Sequence, residues 1–310
     1  MDQIQHKYIT TRGLKLHIAE LGSGPNTVVF LHGFPEIWYS WRHQMIAVAN
    51  LGFRAIAPDL IGYGSSDPHP DLEKASFDDY VDDVLNILGC LDISKAFFVG
   101  KDFGVWPVYL LSLFHSERVL GIVNLGVPFI PPSARKLHQL PEGSYMSRWK
   151  EPGRAEADFG RFDVKTVVRN IYILFARSVI PIAEKNGEIM DLVEPSTPLP
   201  SWFTEEDLAS YSSLYEKSGL YGPLQVPYRG LHKVLPIENP KIRVPTLVIM
   251  CEKDYFLKFP GVEEFILSGK ANDYVDDLEM VFLPEGTHFV QEQFPDQVNL
   301  LITTFLNKHT

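Results

Sequence analysis

The segment GKDFG at residues 100–104 constrains the fold of this 310-residue chain more than any other stretch. An apolar run at 96–99 predicts a short buried strand before it, and an apolar run at 105–114 predicts a helix after it. Glycine at both ends suits a tight strand-to-helix turn, which leaves no room for a Cβ where the helix closes onto the strand. Such a turn, the nucleophile elbow, exposes its central side chain at the edge of a sheet. Asp102 is therefore a candidate nucleophile, although aspartate is also a favoured helix cap.

The rest of the chain alternates apolar strand runs with amphipathic helical runs. Residues 7–21 have the alternating pattern of a hairpin. Buried strands are predicted at 27–31, 54–57, 119–125, 246–250 and 278–283, and helices at 39–51, 76–91, 261–269 and 292–306. Strands that alternate with helices in this way predict an α/β fold, with a mostly parallel central sheet and helices on both faces.

This alternation stops in the middle of the chain. Residues 128–235 carry prolines, aromatic residues and amphipathic helical stretches without a clear strand, and Thr204 is placed to cap one of the helices. We therefore predict an α/β core in two parts, 1–128 and 236–310, with a mostly helical lid inserted at 129–235.

Charge and cysteine content narrow the classes of function. The net charge of −11 and the pI near 5.4 disfavour nucleic acid as a partner, because that binding needs clustered Lys and Arg. Cys90 and Cys251 lie far apart without metal-binding spacing, so neither a disulfide framework nor a zinc site is predicted. The first residues lack the apolar core of a signal peptide, and no apolar run approaches the ~18 residues of a membrane span. The expected location is the cytosol.

Polar residues follow two later strands, at the edge where a parallel sheet binds its ligands. His288 follows the strand at 278–283, and Asp254 follows the strand at 246–250. With the elbow, they give the chain order nucleophile, acid, histidine, which is one known order of a catalytic triad. Taken alone, His288 could be a structural histidine, and Glu252 could replace Asp254 as the acid. Asp254 is preferred because it lies farther into its loop.

An aspartate nucleophile suits displacement at a tetrahedral carbon. Its carboxylate, with an ordinary pKa of ~3.9, is ionised at neutral pH and would form an alkyl ester with the substrate. His288, held by Asp254, would then activate a water that attacks the ester carbonyl of Asp102. The backbone N–H groups of Phe34 and Phe103 occupy the positions of an oxyanion hole.

Two displacements fit such a nucleophile, the opening of an epoxide and the expulsion of a halide. Halide loss in a hydrolytic dehalogenase needs side-chain N–H donors near the leaving group, and the side chains of Phe34 and Phe103 offer none. Epoxide opening needs an acid, which would come from the lid. A non-catalytic ligand receptor on the same scaffold is a third alternative, which the intact set of Asp102, His288 and Asp254 disfavours.

Three segments carry a resemblance to a known family. Residues 32–45 are HGFPEIWYSWRHQM, residues 145–153 are YMSRWKEPG, and Tyr228 is followed by Arg229. The chain resembles plant-type soluble epoxide hydrolases of the α/β-hydrolase superfamily, and the resemblance covers essentially its whole length. It implies an enzyme that converts an epoxide and water to a vicinal diol, with no metal and no organic cofactor.

The resemblance also implies residue roles. Tyr145 and Tyr228 correspond to the lid tyrosines whose phenols hydrogen-bond the epoxide oxygen. A phenol with a pKa of ~10 is protonated at neutral pH and can donate to a developing alkoxide. The expected substrate is an apolar small-molecule epoxide, and the expected state is a monomer or homodimer. The residues predicted to line the pocket are Phe34, Pro35, Trp38, Phe103, Tyr145, Tyr228, His288 and Phe289.

Three positions depart from the family pattern, which usually has His, Trp and Gly where this chain has Lys101, Phe103 and Cys251. Phe103 keeps its backbone donor but changes the shape of the pocket wall. Lys101 either points to the surface, which is the commoner arrangement for a lysine, or lowers the pKa of Asp102. These departures bear on the range of substrates more than on the reaction.

Overall fold

The computed structural model describes residues 3–131, 134–231 and 238–310. These residues form an eight-stranded sheet. Its strands are β1 (Gln5–Thr11), β2 (Leu14–Leu21), β3 (Thr27–Leu31), β4 (Arg54–Pro58), β5 (Ala96–Lys101), β6 (Val119–Leu125), β7 (Thr246–Cys251) and β8 (Leu278–Leu283). They pair in the order β1-β2-β4-β3-β5-β6-β7-β8. The pairs β1–β2 and β2–β4 are antiparallel and the others are parallel, so the predicted mostly parallel sheet is confirmed.

The strand predictions agree with the structure. β1 and β2 form the predicted hairpin, and its turn residues Arg12 and Gly13 have φ values of 50° and 80°. Positive φ at both central residues is typical of a tight hairpin turn. Each of the other predicted strands is observed, with ends within two residues of the predicted ones. These strands were predictable because parallel strands covered on both faces are continuous apolar runs.

The helices occupy the intervals between strands. The α-helices are α1 (Arg42–Asn50), α2 (Phe77–Cys90), α3 (Val105–Phe114), α4 (Tyr145–Trp149), α5 (Arg154–Phe159), α6 (Val164–Phe175), α7 (Glu205–Ser218), α8 (Tyr221–Leu224), α9 (Val262–Leu267), α10 (Val290–Gln293) and α11 (Pro295–Lys308). A 3₁₀ turn at Trp38–Trp41 precedes α1, so the first residues of the predicted helix 39–51 form a 3₁₀ turn and nearly all of the rest form α1. No helix in the described part of the chain is long and apolar enough to span a bilayer.

Helices cover both faces of the sheet, as the surroundings of β5 demonstrate. Side chains alternate between faces along a strand, so Phe97 and Gly100 face opposite sides. The ring of Phe305 from α11 packs against Phe97. On the other face, Val108 from α3 lies over Gly100. Because α1 packs against α11 and α2 packs against α3, each face has its own layer of helices.

Two predicted helices have different bounds in the structure. The predicted helix 292–306 is interrupted at Phe294, whose φ of −131° and ψ of 61° are not helical. Pro295 then starts α11, at a position where its missing N–H removes no helical hydrogen bond. The predicted helix 261–269 is shortened to α9, because glycines with positive φ flank it on both sides.

The helices α4 to α8 belong to the insertion between β6 and β7, in which the described residues form no strand. The predicted cap on α7 is confirmed, since Thr204 accepts the N–H of Asp207 and Asp207 accepts the N–H of Thr204. Buried apolar residues of the insertion and of the sheet helices form one continuous cluster, so the insertion packs directly on the core. The predicted boundary between residues 235 and 236 lies outside the described residues.

Candidate active site

The nucleophile elbow holds Asp102 at the carboxyl end of β5. Residues Asp102–Gly104 form a 3₁₀ turn between β5 and α3, and Asp102 has a φ of 51°. This left-handed conformation is uncommon outside glycine, but aspartate tolerates it better than most residues. A Cβ on Gly104 would collide with the carbonyl oxygens of Leu31 and His32. The glycine therefore permits the close approach of the elbow to the end of β3.

The loop after β3 lies directly against the elbow. Gly33 faces Asp102 so closely that a Cβ would overlap the Asp102 side chain. The backbone N–H of Phe34 donates to Asp102 Oδ1 at 2.9 Å. The second predicted donor, the N–H of Phe103, belongs to the next residue of the 3₁₀ turn. The carboxylate of Asp102 thus already contacts one of the two N–H groups predicted to form an oxyanion hole.

His288 lies between two carboxylates. Its Nδ1 is 3.1 and 3.0 Å from the two oxygens of Asp254, and its Nε2 is 3.5 Å from Asp102 Oδ2. Asp254 is buried, and its Oδ1 also accepts the backbone N–H of Phe256 at 2.9 Å. Glu252, the alternative acid, is exposed. The structure therefore brings together the three groups that the sequence pattern selects, in an arrangement suited to a nucleophile, a base and an orienting acid.

Burial and nearby charges act in opposite directions on these groups. Burial by itself would raise the pKa of Asp102. The hydrogen bond and charge of His288, the charge of Lys101 and the Phe34 N–H instead hold the Asp102 pKa below its ordinary value. Burial and Lys101 would lower the pKa of His288, but Asp254 and the hydrogen bond to Asp102 raise it above its ordinary value. Asp102 is therefore ionised at neutral pH, as nucleophilic displacement requires.

The two predicted lid tyrosines are buried above the elbow. The ring centroids of Tyr145 and Tyr228 are 6.2 Å apart. Tyr228 lies in a π-helical turn at Gln225–Arg229, a rare conformation that is frequent at functional sites. Its ring packs edge-on against Phe34 and Phe103, and its hydroxyl has no hydrogen-bond partner among the described residues. Burial raises the pKa of both phenols well above the ordinary value, so both stay protonated.

A partly open cavity lies between the core and the insertion, and Asp102, His288 and Tyr145 all line it. Its wall is mostly apolar and aromatic, and four of its residues were predicted for the site. The lining includes the predicted Asp102, Phe103, Tyr145 and His288, together with Trp106, Val127, Ile130, Met146, Leu231, Tyr255, Phe256 and Phe259. Tyr228 lines a second cavity that shares several of its residues with the first. An apolar pocket with a few convergent polar groups is the usual form of a small-molecule site.

Other residues predicted for the pocket wall lie outside it. Trp38 packs edge-on against His6, with ring centroids 4.7 Å apart. Phe289 stacks on Tyr172 of α6 at 4.3 Å, because adjacent side chains in this turn point in different directions and His288 takes the cavity side. Phe34 and Pro35 are buried and do not line this cavity, and Phe34 contacts Asp102 through its backbone N–H.

Lys101 is buried, so of its two predicted arrangements the surface-pointing one is wrong, and its charge helps to lower the pKa of Asp102. Every residue of β5 is buried, because helices cover both faces of this central strand and leave residue 101 no exposed side. Its Nζ lies 3.5 Å from Glu36 Oε2 and 4.9 Å from the centre of the Phe289 ring. Glu36 also accepts hydrogen bonds from the N–H of Gly33 and from Gln291. This buried ion pair lies behind the loop that supplies the Phe34 donor.

Tyr255, which directly follows Asp254, was not predicted from the sequence to belong to the site. Its hydroxyl is 3.3 Å from the hydroxyl of Tyr145 and 3.4 Å from His288 Nε2. The signal that could have identified it is its place beside the acid, in the loop at the carboxyl end of β7, where ligands bind in open α/β sheets.

Known proteins share both the fold and the sequence of this chain. Residues 26–179 match the family described as alpha/beta hydrolase fold. The chain is 38% identical to Epoxide hydrolase 1 of Siraitia grosvenorii, over 99% of this chain and 100% of the relative. It superposes on an epoxide hydrolase from Vigna radiata with a TM-score of 0.92 and 34% identity, over 99% of each chain. Epoxide hydrolase I of potato (Solanum tuberosum) gives a TM-score of 0.89 and 34% identity, over 98% of this chain and 99% of that one. The chain therefore belongs to the plant-type epoxide hydrolase family of the α/β-hydrolase superfamily.

Proposed function

We propose that this protein is an epoxide hydrolase that opens its substrate through a covalent ester on Asp102 and releases a vicinal diol. The observation that carries the proposal is the position of His288 between Asp102 and Asp254, in a mostly apolar cavity that the phenol of Tyr145 also lines. Membership of the family supports the same reaction, since the relatives are named epoxide hydrolases.

In the first half-reaction, an ionised oxygen of Asp102 attacks a ring carbon of the epoxide. The ester bond forms as the ring C–O bond breaks, and the ring oxygen develops negative charge. Tyr145 and Tyr228 support this step, because burial keeps their phenols protonated and the Tyr228 hydroxyl has no other partner among the described residues. Donors placed where charge develops stabilise the transition state more than the ground state.

In the second half-reaction, His288 takes a proton from water while the oxygen of that water adds to the ester carbonyl of Asp102. Asp254 orients the imidazole and stabilises the imidazolium that forms. The negative carbonyl oxygen is met by the N–H groups of Phe34 and Phe103, of which the first already contacts Asp102 Oδ1 at 2.9 Å. Collapse of the tetrahedral intermediate then releases the diol and restores the carboxylate.

A single turnover in water enriched in heavy oxygen tests this mechanism. With enzyme in excess over styrene oxide, the first diol is expected to carry no label, because its new oxygen comes from Asp102. Repeated turnovers should then deliver label, because the oxygen of water enters the carboxylate each time. Label in the first diol would mean direct attack by water and would overturn the proposal. Asp102→Ala is the control and should form no diol. Chloride release from a haloalkane, without diol from styrene oxide, would favour a dehalogenase instead.

We also propose that the insertion at 129–235 acts as a lid over the cavity, and that the enzyme works in the cytosol as a monomer or homodimer. The apolar cavity wall supports an apolar epoxide as substrate. Diol formation from fatty-acid, terpenoid and styrene epoxides would rank the substrates. Light scattering of the purified protein would test the oligomeric state, and fractionation of the cells that make it would test the location.

A further inference from the structure

Tyr255 is a third phenol in the site, and its hydroxyl contacts both Tyr145 and His288. Its hydroxyl is 3.3 Å from the hydroxyl of Tyr145, which belongs to the insertion. The same hydroxyl is 3.4 Å from His288 Nε2, which belongs to the core. One side chain thus links the proposed acid of the first half-reaction to the proposed base of the second.

The position of Tyr255 is tied to that of the base. Tyr255 begins the 3₁₀ turn that Asp254 caps, and the same Asp254 holds His288. Its ring lies 4.7 Å from the imidazole centroid and 5.2 Å from the ring of Phe175. The side chain is 3% exposed, so packing on several sides fixes the hydroxyl between its two partners.

The proposed reaction leaves one proton on the wrong group of the enzyme. During ring opening the epoxide oxygen takes a proton from Tyr145, which becomes a phenolate. During ester hydrolysis one hydrogen of water goes to His288 and the other goes to the diol oxygen released from Asp102. When the diol is complete, the enzyme therefore holds an imidazolium and a phenolate, and a proton must pass from His288 to Tyr145 before the next cycle.

We propose that Tyr255 is a catalytic residue that carries out this transfer, an inference that rests on the proposed function. The O–H bond of Tyr255 breaks as its proton passes to the phenolate oxygen of Tyr145. The N–H bond at His288 Nε2 breaks as that proton passes to the oxygen of Tyr255. The enzyme returns to a neutral imidazole and neutral phenols. Because the Tyr228 hydroxyl has no partner in the described residues, the relay assigns proton donation to Tyr145 and hydrogen bonding alone to Tyr228.

The proton transfer from His288 to Tyr145 is thermodynamically favourable. An ordinary phenol has a pKa ~3.5 units above that of an imidazolium, and burial raises the pKa of Tyr145 and Tyr255 further. Around His288, burial and Lys101 disfavour the imidazolium, whereas Asp254 and Asp102 favour it. The direct contacts matter because these groups are buried, and the new diol occupies the cavity through which solvent would otherwise reach them.

The variant Tyr255→Phe tests the relay, because it removes the hydroxyl and keeps the ring. In the first turnover Tyr145 is still protonated and His288 is still neutral, so the first diol should form at about the wild-type rate, within ~2-fold. Steady-state kcat should then fall by ~10- to 100-fold, since a positioned proton donor typically contributes ~10²-fold or more and solvent replaces it in part. Rapid-quench kinetics should therefore show a burst of diol equal to the enzyme concentration.

Two further measurements separate the relay from a packing effect. Imidazole added as a small proton carrier should restore kcat of Tyr255→Phe in proportion to its concentration, without changing the first turnover. Tyr63→Phe is the matched control, because it removes a buried hydroxyl that donates to the carbonyl of Pro223, and it should show no burst and no rescue.

The possible results distinguish a failure of the relay from a failure of the proposed function. Unchanged kcat in Tyr255→Phe, or a first turnover slowed as much as the steady state, would overturn the relay and leave the mechanism of diol formation intact. Wild-type enzyme that forms no diol, or that labels its first diol in heavy-oxygen water, would overturn the proposed function and the relay with it.

Discussion

The two sides of the cavity hold their polar groups in different ways. On the core side, His288 is fixed by both oxygens of Asp254, and Asp102 accepts the N–H of Phe34. On the insertion side, the phenols are held mainly by ring packing. Tyr145 packs against Trp149 and Phe175 at 5.3 and 4.9 Å, and the Tyr228 hydroxyl has no hydrogen-bond partner in the described residues.

This difference follows from charge. A buried carboxylate or imidazolium is costly unless it is paired at all times, so the core groups must be organised before the substrate arrives. A buried neutral hydroxyl without a partner costs only ~1–3 kcal/mol, and an incoming epoxide oxygen can recover that cost. We infer that the core side is preorganised for charge, whereas the insertion side keeps a donor free for the substrate.

The sharpest test of the core side is His288→Gln. Asp102 should still form the ester, but without a base its hydrolysis should slow by ~10⁴-fold or more, the scale seen when a triad base is removed. Intact mass spectrometry should then show enzyme that carries one added substrate mass. Peptide mapping should place this mass on Asp102, and Asp102→Ala should gain none. An adduct that clears at the wild-type rate would show that the core side is not organised as we describe.

A buried ionic cluster also joins the insertion to the core. Arg42 of α1 donates to Glu292 Oε2 at 2.6 Å and to Asp207 Oδ1 at 2.9 Å. Glu292 is fully buried within the core and also accepts from Tyr211 of α7 at 3.0 Å. Burial raises the pKa of Glu292 to about 7, against the opposing effect of the Arg42 charge. Here, unlike at the phenols, the contact between insertion and core depends on charge.

Arg42→Met should therefore destabilise the protein by ~3–5 kcal/mol, because it leaves buried carboxylates without their cation. Loss of the cation raises the pKa of Glu292 in the folded protein further. The folded state then holds this proton at pH values where the unfolded state has lost it, so stability falls as the pH rises. The destabilisation in urea unfolding should thus be larger at about pH 8 than at about pH 6. Adding Glu292→Gln should recover part of the loss at the higher pH. Equal losses in the single and double variants would contradict this account.

On the insertion side, Tyr228→Phe should lower the rate of ester formation by ~10²-fold, the usual effect of removing one donor to a developing oxyanion. Its stability should be unchanged or slightly higher, because the lost hydroxyl has no partner in the described residues. Tyr145→Phe is the matched variant, and it should also lose ~1 kcal/mol of stability with the hydrogen bond to Tyr255. Stopped-flow measurements and urea unfolding of both variants would separate these effects. A large loss of stability in Tyr228→Phe would mean that its hydroxyl is not free.

The two sides of the cavity also differ in how far the sequence predicts them. The elbow and the strands are local patterns, so Asp102 and the strand-end residues His288 and Asp254 could be selected without a structure. Tyr145 and Tyr228 could be selected only through a family resemblance, because nothing in the spacing of tyrosines along helices shows which ones meet over a distant strand. Contacts of Tyr255 were missed for the same reason, since its two partners lie 33 and 110 residues away.

The smallest expected effect concerns how the helices of the insertion are capped. Thr204 caps α7 and Asp163 caps α6, each by accepting a backbone N–H, so replacing either with Ala should cost ~1 kcal/mol. They differ in that the partner of Thr204 is Asp207, which also binds Arg42 of the core. Thr204→Ala should therefore be non-additive with Arg42→Met, by at least ~0.5 kcal/mol in a double-mutant cycle, whereas Asp163→Ala should be additive. Additivity in both cycles would mean that the α7 cap and the ionic cluster act independently.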